Sequence, residues 1–379
     1  MQRPICLNTI AELRAAAPAW DDLWQRSDCT SPLAQAGAII DWLGHFAPAA
    51  RFQALAVADE GRWLAALPLV ERRVAGVLRA GTLPCNVWPS GATLLWDTAA
   101  TADPAVGAAV LAAVARLPWP LVFLEAAMPA RASWQALIRG LTAAGLPYDL
   151  RTRWRAARRA VGRDWPAAFR RLSGKHRHRV SSSLRKLAEQ GDIRFELHTH
   201  LAPDEVGSLL RRAWETEDRG WKGGAGTSVL RTPGMAEFML AQARRLAAEG
   251  RLALAFLDCH RRNVAFCYGV LGKGVFHSFK IGYDPAFARL SPGHLLQYHL
   301  LQALYADPRV TAIDYIGAMT EYHTSWRPEE DYPLARLAFA RQGSTLGNAA
   351  LWGLQRMKGP SEVLPALAST VLDPGLTPA

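Results

Sequence analysis

The order of secondary structure predicted along the first half of the chain is repeated along the second half, at a spacing of roughly 190 residues. In each half, a strand and helices come first, and consecutive strands, a helix and one more apolar strand follow. That apolar strand reads VFLEAAM at 122–128 and IDYIGAM at 313–319. The letters match weakly but the order of elements matches well, so we interpret the chain as an internal duplication. The predicted fold is mixed α/β, with two tandem domains that each hold a mixed sheet flanked by helices.

This pattern predicts four segments. The first copy covers residues 1–150 and the second covers 191–345. Residues 151–190 are predicted to form a basic linker helix, and residues 346–379 a C-terminal helix and a tail. Within the second copy we predict strands at 263–271, 274–283, 311–319 and 333–341, helices at 203–218, 234–248 and 293–306, and a glycine-rich loop at 220–226.

The segment 151–187 is the most basic part of the chain. One interpretation is a solvated helix face that joins two domains. The other is a border of an anionic ligand or surface. The residues that would form this border are Arg170, Arg171, Lys175, Arg177, Arg179, Arg185 and Lys186.

Composition supports a folded protein with an anionic partner. Half of the 379 residues are hydrophobic, while the net charge is +11 and the isoelectric point is near 9.8. The five cysteines form no C-x-x-C pair and no plausible zinc set, so we interpret them as packing thiols in a reducing compartment. The N-terminus lacks the apolar region of a signal peptide, and no stretch reaches the ~20 apolar residues of a spanning helix. We expect a cytoplasmic protein.

An apolar strand at 279–283 is followed by a loop that contains Arg289, Ser291, Pro292 and Gly293, and this loop leads directly into a helix. The first backbone N–H groups of a helix have no partner within the helix, and the positive end of its dipole lies behind them. This arrangement predicts an anion-binding site. The same letters are also typical of an ordinary connection between a strand and a helix.

The segments YDPAFARLSPGHLL (283–296), DYIGAM (314–319) and EYHTSW (321–326) resemble the GNAT superfamily of CoA-dependent acyltransferases. The specific resemblance is to its cellulose-biosynthesis-like branch (CelD/BcsL type), which is related to the tandem-domain Fem peptidyltransferases. It covers about residues 165–342, and the first half resembles a degenerate copy. RLSPG is its most specific part.

The resemblance implies a centrally splayed sheet in which the pantetheine arm of CoA lies between two parallel strands, here 263–271 and 274–283. It also implies that the CoA pyrophosphate binds at the start of helix 293–306. The loop departs from the common Q/R-x-x-G-x-G/A pattern, because Pro292 has no N–H and His294 replaces a small residue. The implied CoA-binding residues are Lys280, Ile281, Arg289, Leu290, Ser291, Gly293 and His294.

Acyl transfer from a thioester to an amine needs a base for the amine and an acid for the leaving thiolate. The resemblance suggests Tyr322 as the acid, although an aromatic packing residue would give the same letter. Our candidates for the base are Asp314, His277 and Glu321; Asp314 and His277 would equally serve as hydrogen-bonded structural residues.

The loop WETEDRGWKGGAG resembles a Trp-Lys-Gly segment that borders the acceptor pocket in the family. The implied acceptor-side residues are Glu217, Asp218, Trp221 and Lys222. An ordinary surface loop with charged residues at a helix end explains the same segment.

The sequence contains no G-x-x-x-x-G-K-[ST], G-x-S-x-G or H-E-x-x-H motif, and its histidine pairs lack acidic or cysteine companions, so we expect no metal. The predicted function is direct transfer of an acyl group from acyl-CoA to an amine, with acyl-CoA as co-substrate and no permanently bound cofactor. One alternative is a Fem-like transfer from aminoacyl-tRNA or acyl carrier protein. The other is a non-catalytic protein whose basic segment binds nucleic acid or an anionic membrane; nucleic acid is disfavoured because few aromatic residues accompany the charges.

Overall fold

The computed structural model describes residues 2–86 and 92–356, so the end of the predicted C-terminal tail lies outside the described residues. The chain divides into two compact units. Unit 1 comprises Met1–Trp154 and Tyr332–Ala379, and unit 2 comprises Arg155–Asp331. The unit boundaries therefore differ from the predicted ones, because each unit includes residues that the sequence pattern assigned to a different segment.

Unit 1 is a mixed sheet with helices. Its strands lie in the order β1-β2-β3-β4-β6-β13, and β5 pairs with β3. β4 and β6 are parallel, whereas the other pairs in this unit are antiparallel. Its elements are β1 (Arg3–Leu7), α1 (Ile10–Ala15), α2 (Ala17–Arg26), α3 (Ala36–Phe46), β2 (Phe52–Asp59), β3 (Arg62–Val74), β4 (Leu78–Thr82), β5 (Leu95–Trp96), α4 (Pro104–Val114), β6 (Leu121–Ala127), α5 (Ala132–Ala143), the start of β7 (Tyr148–Ala160), β13 (Glu330–Ala340) from Tyr332 onward, and α13 (Thr345–Arg356).

Unit 2 repeats this arrangement. Its strands lie in the order β7-β12-β11-β10-β9-β8, and β11 and β12 are parallel. A large apolar core lies between this sheet and its helices. Its elements are the end of β7, α6 (Trp165–Arg170), α7 (Gly174–Ala188), β8 (Ile193–His198), α8 (Val206–Asp218), α9 (Trp221–Gly224), α10 (Met235–Ala248), β9 (Leu252–Cys259), β10 (Arg262–Gly272), β11 (Val275–Tyr283), α11 (Pro292–Ala306), β12 (Ala312–Asp314) and α12 (Glu321–Ser325).

The two units share one topology. Four strands lie side by side in sequence order (β1 to β4 and β8 to β11), and the strand that follows a later helix, β6 or β12, lies parallel to the fourth strand. This agreement confirms the mixed α/β fold built from two similar copies. The strand that follows the first copy in the sequence, β7, ends in unit 2, where it pairs with β12. The strand that follows the second copy, β13, lies mostly in unit 1, where it pairs with β6.

Several helices begin where a polar side chain caps the first turn. Asp164 accepts the N–H of Ala167, and Ser173 accepts the N–H of His176. Such a cap typically stabilises a helix by about 1 kcal/mol. The Ser173 cap starts α7 four residues after α6 ends, so residues 151–190 form a strand and two helices, which corrects the expectation of one basic helix.

Candidate functional site

β11 and β12 pair over three residues and then diverge. Their parallel register ends at His277 opposite Asp314, whereas β11 continues to Tyr283. Beyond Asp314 the chain turns towards β7, where the N–H of Tyr315 donates to Ala157 O at 3.0 Å. Residues 278–283 therefore have β10 on one edge and no strand from the described residues on the other.

A bulge lies at the point of divergence. Tyr268 of β10 faces Lys280 and Gly269 faces Ser278, so Phe279 is an extra residue on β11. A bulge bends its strand and increases the local twist, which accounts for the separation of β11 from β12. Gly269 is required here, because an added Cβ would lie 2.2 Å from the ring of Phe276.

The parallel pair corrects one expectation. β10 and β11, the strands predicted at 263–271 and 274–283, are antiparallel neighbours in a hairpin. The open edge lies between β11 and β12 instead.

The open edge of β11 leads into the loop and helix that the sequence singles out. A 3-10 helix at Pro285–Leu290 follows the strand, and the side chain of Asp284 caps it by accepting the N–H of Ala286 at 3.0 Å. Asp284 is 1% exposed and also binds Arg219 and Arg262, each with a closest N–O distance under 3 Å. Burial would raise the pKa of Asp284, but the backbone donor and these two guanidinium groups hold it below its usual value.

α11 begins after a left-handed residue. Ser291 has a φ of 51°, and Pro292 occupies the first position of the helix. The N–H of His294 donates to Ser291 O at 2.9 Å. Pro292 has no N–H. Of the first three residues of α11, Gly293 therefore has the N–H that finds no acceptor among the described residues. Arg289 is exposed in the preceding turn, and Leu290 is buried.

The start of α7 lies against the start of α11. His176 and His294 each occupy the third position of their helix, and their ring centroids are 5.2 Å apart. The positive ends of two helix dipoles thus meet at one place. Arg179 of α7 is close enough to influence the titration of both histidines. Of the seven border residues that the sequence analysis names in the basic segment, five are exposed: Arg170, Arg171, Lys175, Arg185 and Lys186.

The imidazole groups at this junction are neutral. Burial, His176 and Arg179 lower the pKa of His294 to about 4, and burial and Arg179 lower the pKa of His176. Both ring nitrogens of His176, which is 4% exposed, and Nδ1 of His294 have no hydrogen-bond partner in the described part of the chain. The ring of Trp326 packs on His176 at 4.5 Å.

Tyr322 of α12 joins this junction. Its hydroxyl lies 3.3 Å from Gly293 O and 3.3 Å from Oε1 of Gln297, and its ring is 4.8 Å from the ring of His294. Gln297 in turn donates to the hydroxyl of Tyr315 at 3.1 Å. Burial raises the pKa of Tyr322 well above 10, so the phenol is protonated and able to donate.

The three candidate bases lie in different environments. Asp314 is 3% exposed and accepts the N–H of Ile316 at 2.9 Å. His277 is 4% exposed and is the register partner of Asp314. Glu321 is exposed in the first turn of α12.

The acceptor-side residues form two ion clusters at the end of α8. Glu217 is 3% exposed; its Oε1 lies 2.8 Å from Nζ of Lys280 and 3.0 Å from Nζ of Lys222, and its Oε2 accepts the N–H of Val229. Burial would raise the pKa of Glu217, but Lys280 and Lys222 lower it. Lys280, assigned to the CoA site by resemblance, is therefore in contact with the predicted acceptor residues.

The second cluster is nearer to solvent. Asp218 accepts from the hydroxyl of Ser228 and binds Arg231 through both carboxylate oxygens, and Arg231 and Ser228 lower its pKa. Trp221 is 65% exposed at the start of α9, and Ile281 is 43% exposed on β11. The glycine-rich loop predicted at 220–226 includes this short helix.

The structure thus gathers Gly293, His294 and Tyr322 at the start of α11, and Glu217, Lys222 and Lys280 at the end of α8. Several residues at the start of α11 were not predicted from the sequence. His176 and Trp326 lie far apart in the chain and carry no motif, and the only local signal at His176 is its position after a capping serine. The missed residues are His176, Gln297, Tyr315 and Trp326.

Residues 174–324, which lie within unit 2, match the family described as an acetyltransferase (GNAT) domain. No curated protein matches the chain. Among solved structures, FemX has a TM-score of 0.60 and 9% identity, with 90% of this chain and 98% of that chain covered. The C-terminal domain (DUF2156) of a protein assigned as a lysylphosphatidylglycerol synthetase from Agrobacterium fabrum has a TM-score of 0.52 and 13% identity, covering 91% and 96%. L-PGS from Bacillus licheniformis has a TM-score of 0.51 and 13% identity, covering 88% and 95%.

These likenesses agree with the fold of the two units. Within the described residues there is no group of three metal-binding side chains and no helix long and apolar enough to cross a membrane. The domain match and the fold together support an acyltransferase of GNAT type.

Proposed function

We propose that the protein transfers an acyl group from acyl-CoA directly to an amine, with the donor bound in unit 2 and no permanently bound cofactor. One observation carries this proposal: the open edge of β11 leads directly to the start of α11, against which the start of α7 is packed. The backbone groups at the open edge of β11 can pair with an extended, amide-bearing chain such as the pantetheine arm of CoA. The start of α11 can bind a diphosphate.

The donor would lie along residues 278–283, where the strand offers backbone groups without a second ladder partner. Its phosphates would meet the N–H of Gly293 and the side chains of Arg289 and Arg179. Pro292 leaves the turn with one N–H donor fewer. The basic side chains of α7 would therefore contribute the attraction for phosphate that further backbone N–H groups provide in a glycine-rich turn.

Tyr322 would return a proton to the leaving thiolate, since its buried hydroxyl is protonated. Trp221, Asp218 and the cluster around Glu217 would border the acceptor. The amine acceptor itself would be a sugar amine, an amino acid, a peptide or a long-chain lipid amine. We also propose a cytoplasmic location, where acyl-CoA is available, and a peripheral contact of the exposed basic residues with an anionic membrane.

Calorimetric titration with CoA, acetyl-CoA and a long-chain acyl-CoA tests the donor. We expect saturable binding that is lost in Gly293→Trp, because the added ring would fill the space beside Tyr322, whose Cε2 would lie 3.9 Å from an added Cβ. Gly44→Trp is the matched control, since an added Cβ at Gly44 in α3 meets nothing within 4 Å. If no CoA species binds the unsubstituted protein, the proposal is wrong.

The likeness to FemX favours one alternative, a Fem-like transfer from aminoacyl-tRNA or acyl carrier protein, for which the exposed arginines of α6 and α7 would form a docking face. Salt dependence separates the donors. Binding of tRNA releases many counterions and weakens steeply with salt, whereas CoA binding releases few. The narrower assignment to the cellulose-biosynthesis-like branch rests on the RLSPG and EYHTSW segments alone.

A further inference from the structure

Two ammonium groups share one buried carboxylate oxygen in unit 2. Nζ of Lys280 and Nζ of Lys222 lie 2.8 Å and 3.0 Å from the same atom, Oε1 of Glu217. The other oxygen of Glu217 accepts the N–H of Val229. The side chain of Lys280 is 9% exposed and that of Glu217 is 2% exposed. Burial and the positive charge of Lys222 both disfavour the protonated form of Lys280, so Lys280 loses its proton more readily than an exposed lysine does.

The residue type supports this interpretation. The sequence contains 44 lysines and arginines, of which only six are lysines, and two of those six lie on Glu217. Arginine remains protonated in proteins, whereas a buried lysine deprotonates readily. Among the described residues, pairs of arginines share the carboxylates of Asp97 and Asp284, whereas two lysines share the carboxylate of Glu217.

Lys280 also lies where the reaction would take place. It follows the bulged residue Phe279, and it belongs to the part of β11 whose edge is open. The large apolar side chains of unit 2 that are exposed in the described residues lie on the segments around this cluster: Trp221, Leu230, Ile281 and Tyr283. The chain just before Trp221 lies beside the end of β11, because a Cβ added at Gly220 would lie 3.7 Å from Tyr283 O.

Groups from three elements face Lys280. Glu217 comes from α8 and Lys222 from α9; the ring of Trp214 lies 6.0 Å from Nζ, and Tyr268 is the register partner on β10. Burial and Lys222 lower the pKa of Lys280 to about 8, although Glu217 opposes this. Burial raises the pKa of Tyr268, so that phenol stays neutral.

We propose that Lys280, paired with Lys222 across Glu217, is the catalytic base that takes the proton from the acceptor ammonium. This inference rests on the proposed acyl transfer. The neutral amine of Lys280 accepts one proton from R–NH3+, and the R–NH2 formed attacks the thioester carbonyl. The tetrahedral intermediate loses its second nitrogen proton as the C–S bond breaks, and the thiolate leaves as CoA–SH. Lys280 then releases its proton to solvent, so one proton is released per amide formed.

The other candidates fit this role less well. Asp314 accepts a backbone N–H inside the sheet, and His277 is its buried neighbour. Glu321 is exposed at the start of α12. None of the three belongs to the open part of β11.

The first test measures the titration of Lys280 and needs no substrate. Lysine ε-carbon NMR resolves six lysines, and Lys280→Arg assigns the resonance. We expect a midpoint near pH 8 that rises in Lys222→Met, because a positive neighbour is removed, and falls in Glu217→Gln, because the negative neighbour is removed. A midpoint at the ordinary value of lysine in the unsubstituted protein overturns the inference.

The second test is kinetic, with acetyl-CoA as donor and either octylamine or hydroxylamine as acceptor. Octylamine is protonated at pH 7 and needs a base, whereas hydroxylamine is already neutral. We expect Lys280→Met to lose about 100-fold in kcat/KM with octylamine and to stay within about threefold with hydroxylamine, with unchanged calorimetric affinity for acetyl-CoA. Equal losses with both acceptors would make Lys280 a structural residue. Absence of acetyl-CoA binding in the unsubstituted protein is a different result, which contradicts the proposed function itself.

Discussion

His176 and His294 stand at the third positions of two helices whose starts meet, with their rings 5.2 Å apart. Burial and the charge of Arg179 lower the pKa of both rings, so neither histidine is protonated at pH 7. Their neutrality at pH 7 leaves the local positive potential to the backbone and to the basic side chains of α7. An anionic ligand would therefore meet a potential that does not depend on these histidines being charged.

The first prediction concerns stability against acid. The pKa of His294 falls from 6.5 to about 4 on folding, so the unfolded chain binds more protons than the folded chain between these values. The free energy of unfolding should thus decrease as pH falls from about 6.5 to 4, by about 1–2 kcal/mol after solvent screening. Denaturant titrations at several pH values measure this slope. We expect His294→Phe to reduce it and a substitution at exposed His178 to leave it unchanged; an unchanged slope in His294→Phe contradicts the prediction.

The second prediction tests Tyr322. Removal of its hydroxyl in Tyr322→Phe leaves the ring against His294 and deletes the proton donor. We expect kcat to fall by about 100-fold, a loss of about 1 kcal/mol in stability from the missing hydrogen bond, and an unchanged affinity for acetyl-CoA. Steady-state kinetics and calorimetry give these quantities.

Tyr298→Phe is the control for Tyr322, since Tyr298 also lies in the unit 2 core and packs on Trp165 through its ring. Normal turnover by Tyr322→Phe would assign Tyr322 to packing alone, the alternative that its sequence position leaves open.

The third prediction compares two adjacent carboxylates. Glu217 is buried with two lysines and a backbone donor, whereas Asp218 is partly exposed with Arg231. Loss of charge from a buried pair leaves its partners uncompensated, so Glu217→Gln should destabilise the protein by about 3 kcal/mol. Asp218→Asn should cost about 1 kcal/mol or less, because an exposed ion pair contributes little. Chemical denaturation followed by tryptophan fluorescence measures the loss of unfolding free energy in each variant. Equal losses would mean that solvent compensates the charges around Glu217, which contradicts the prediction.

Local patterns gave the elements of the site, because a strand, its turn and the helix after it are specified by neighbouring residues. The sequence from Phe279 to Leu304 folds as predicted into β11, a turn and α11. The pairing between strands was harder to predict from the sequence, because the alternation of side chains along a strand does not identify the strand with which it pairs. The parallel partner of β11 is β12, about 30 residues away along the chain, and the strand predicted at 333–341 belongs to unit 1. The contact of Lys280 with Glu217 depends on that arrangement and on the bulge at Phe279, which no local pattern indicates.

The last prediction concerns the basic segment, for which the sequence left two interpretations open. Arg179 lies near the junction of α7 and α11, whereas Arg73 is exposed at the end of β3 in unit 1. If the segment borders the donor phosphates, Arg179→Gln should weaken acetyl-CoA binding by about tenfold, the value of one charge-assisted hydrogen bond, while Arg73→Gln should have no effect. Calorimetry at rising salt adds a second measure, because the loss of one phosphate contact lowers the slope of log K against log salt by about one. Equal affinities for both variants would assign the charges of α7 to a solvated helix face and would leave Gly293 and Arg289 as the donor contacts.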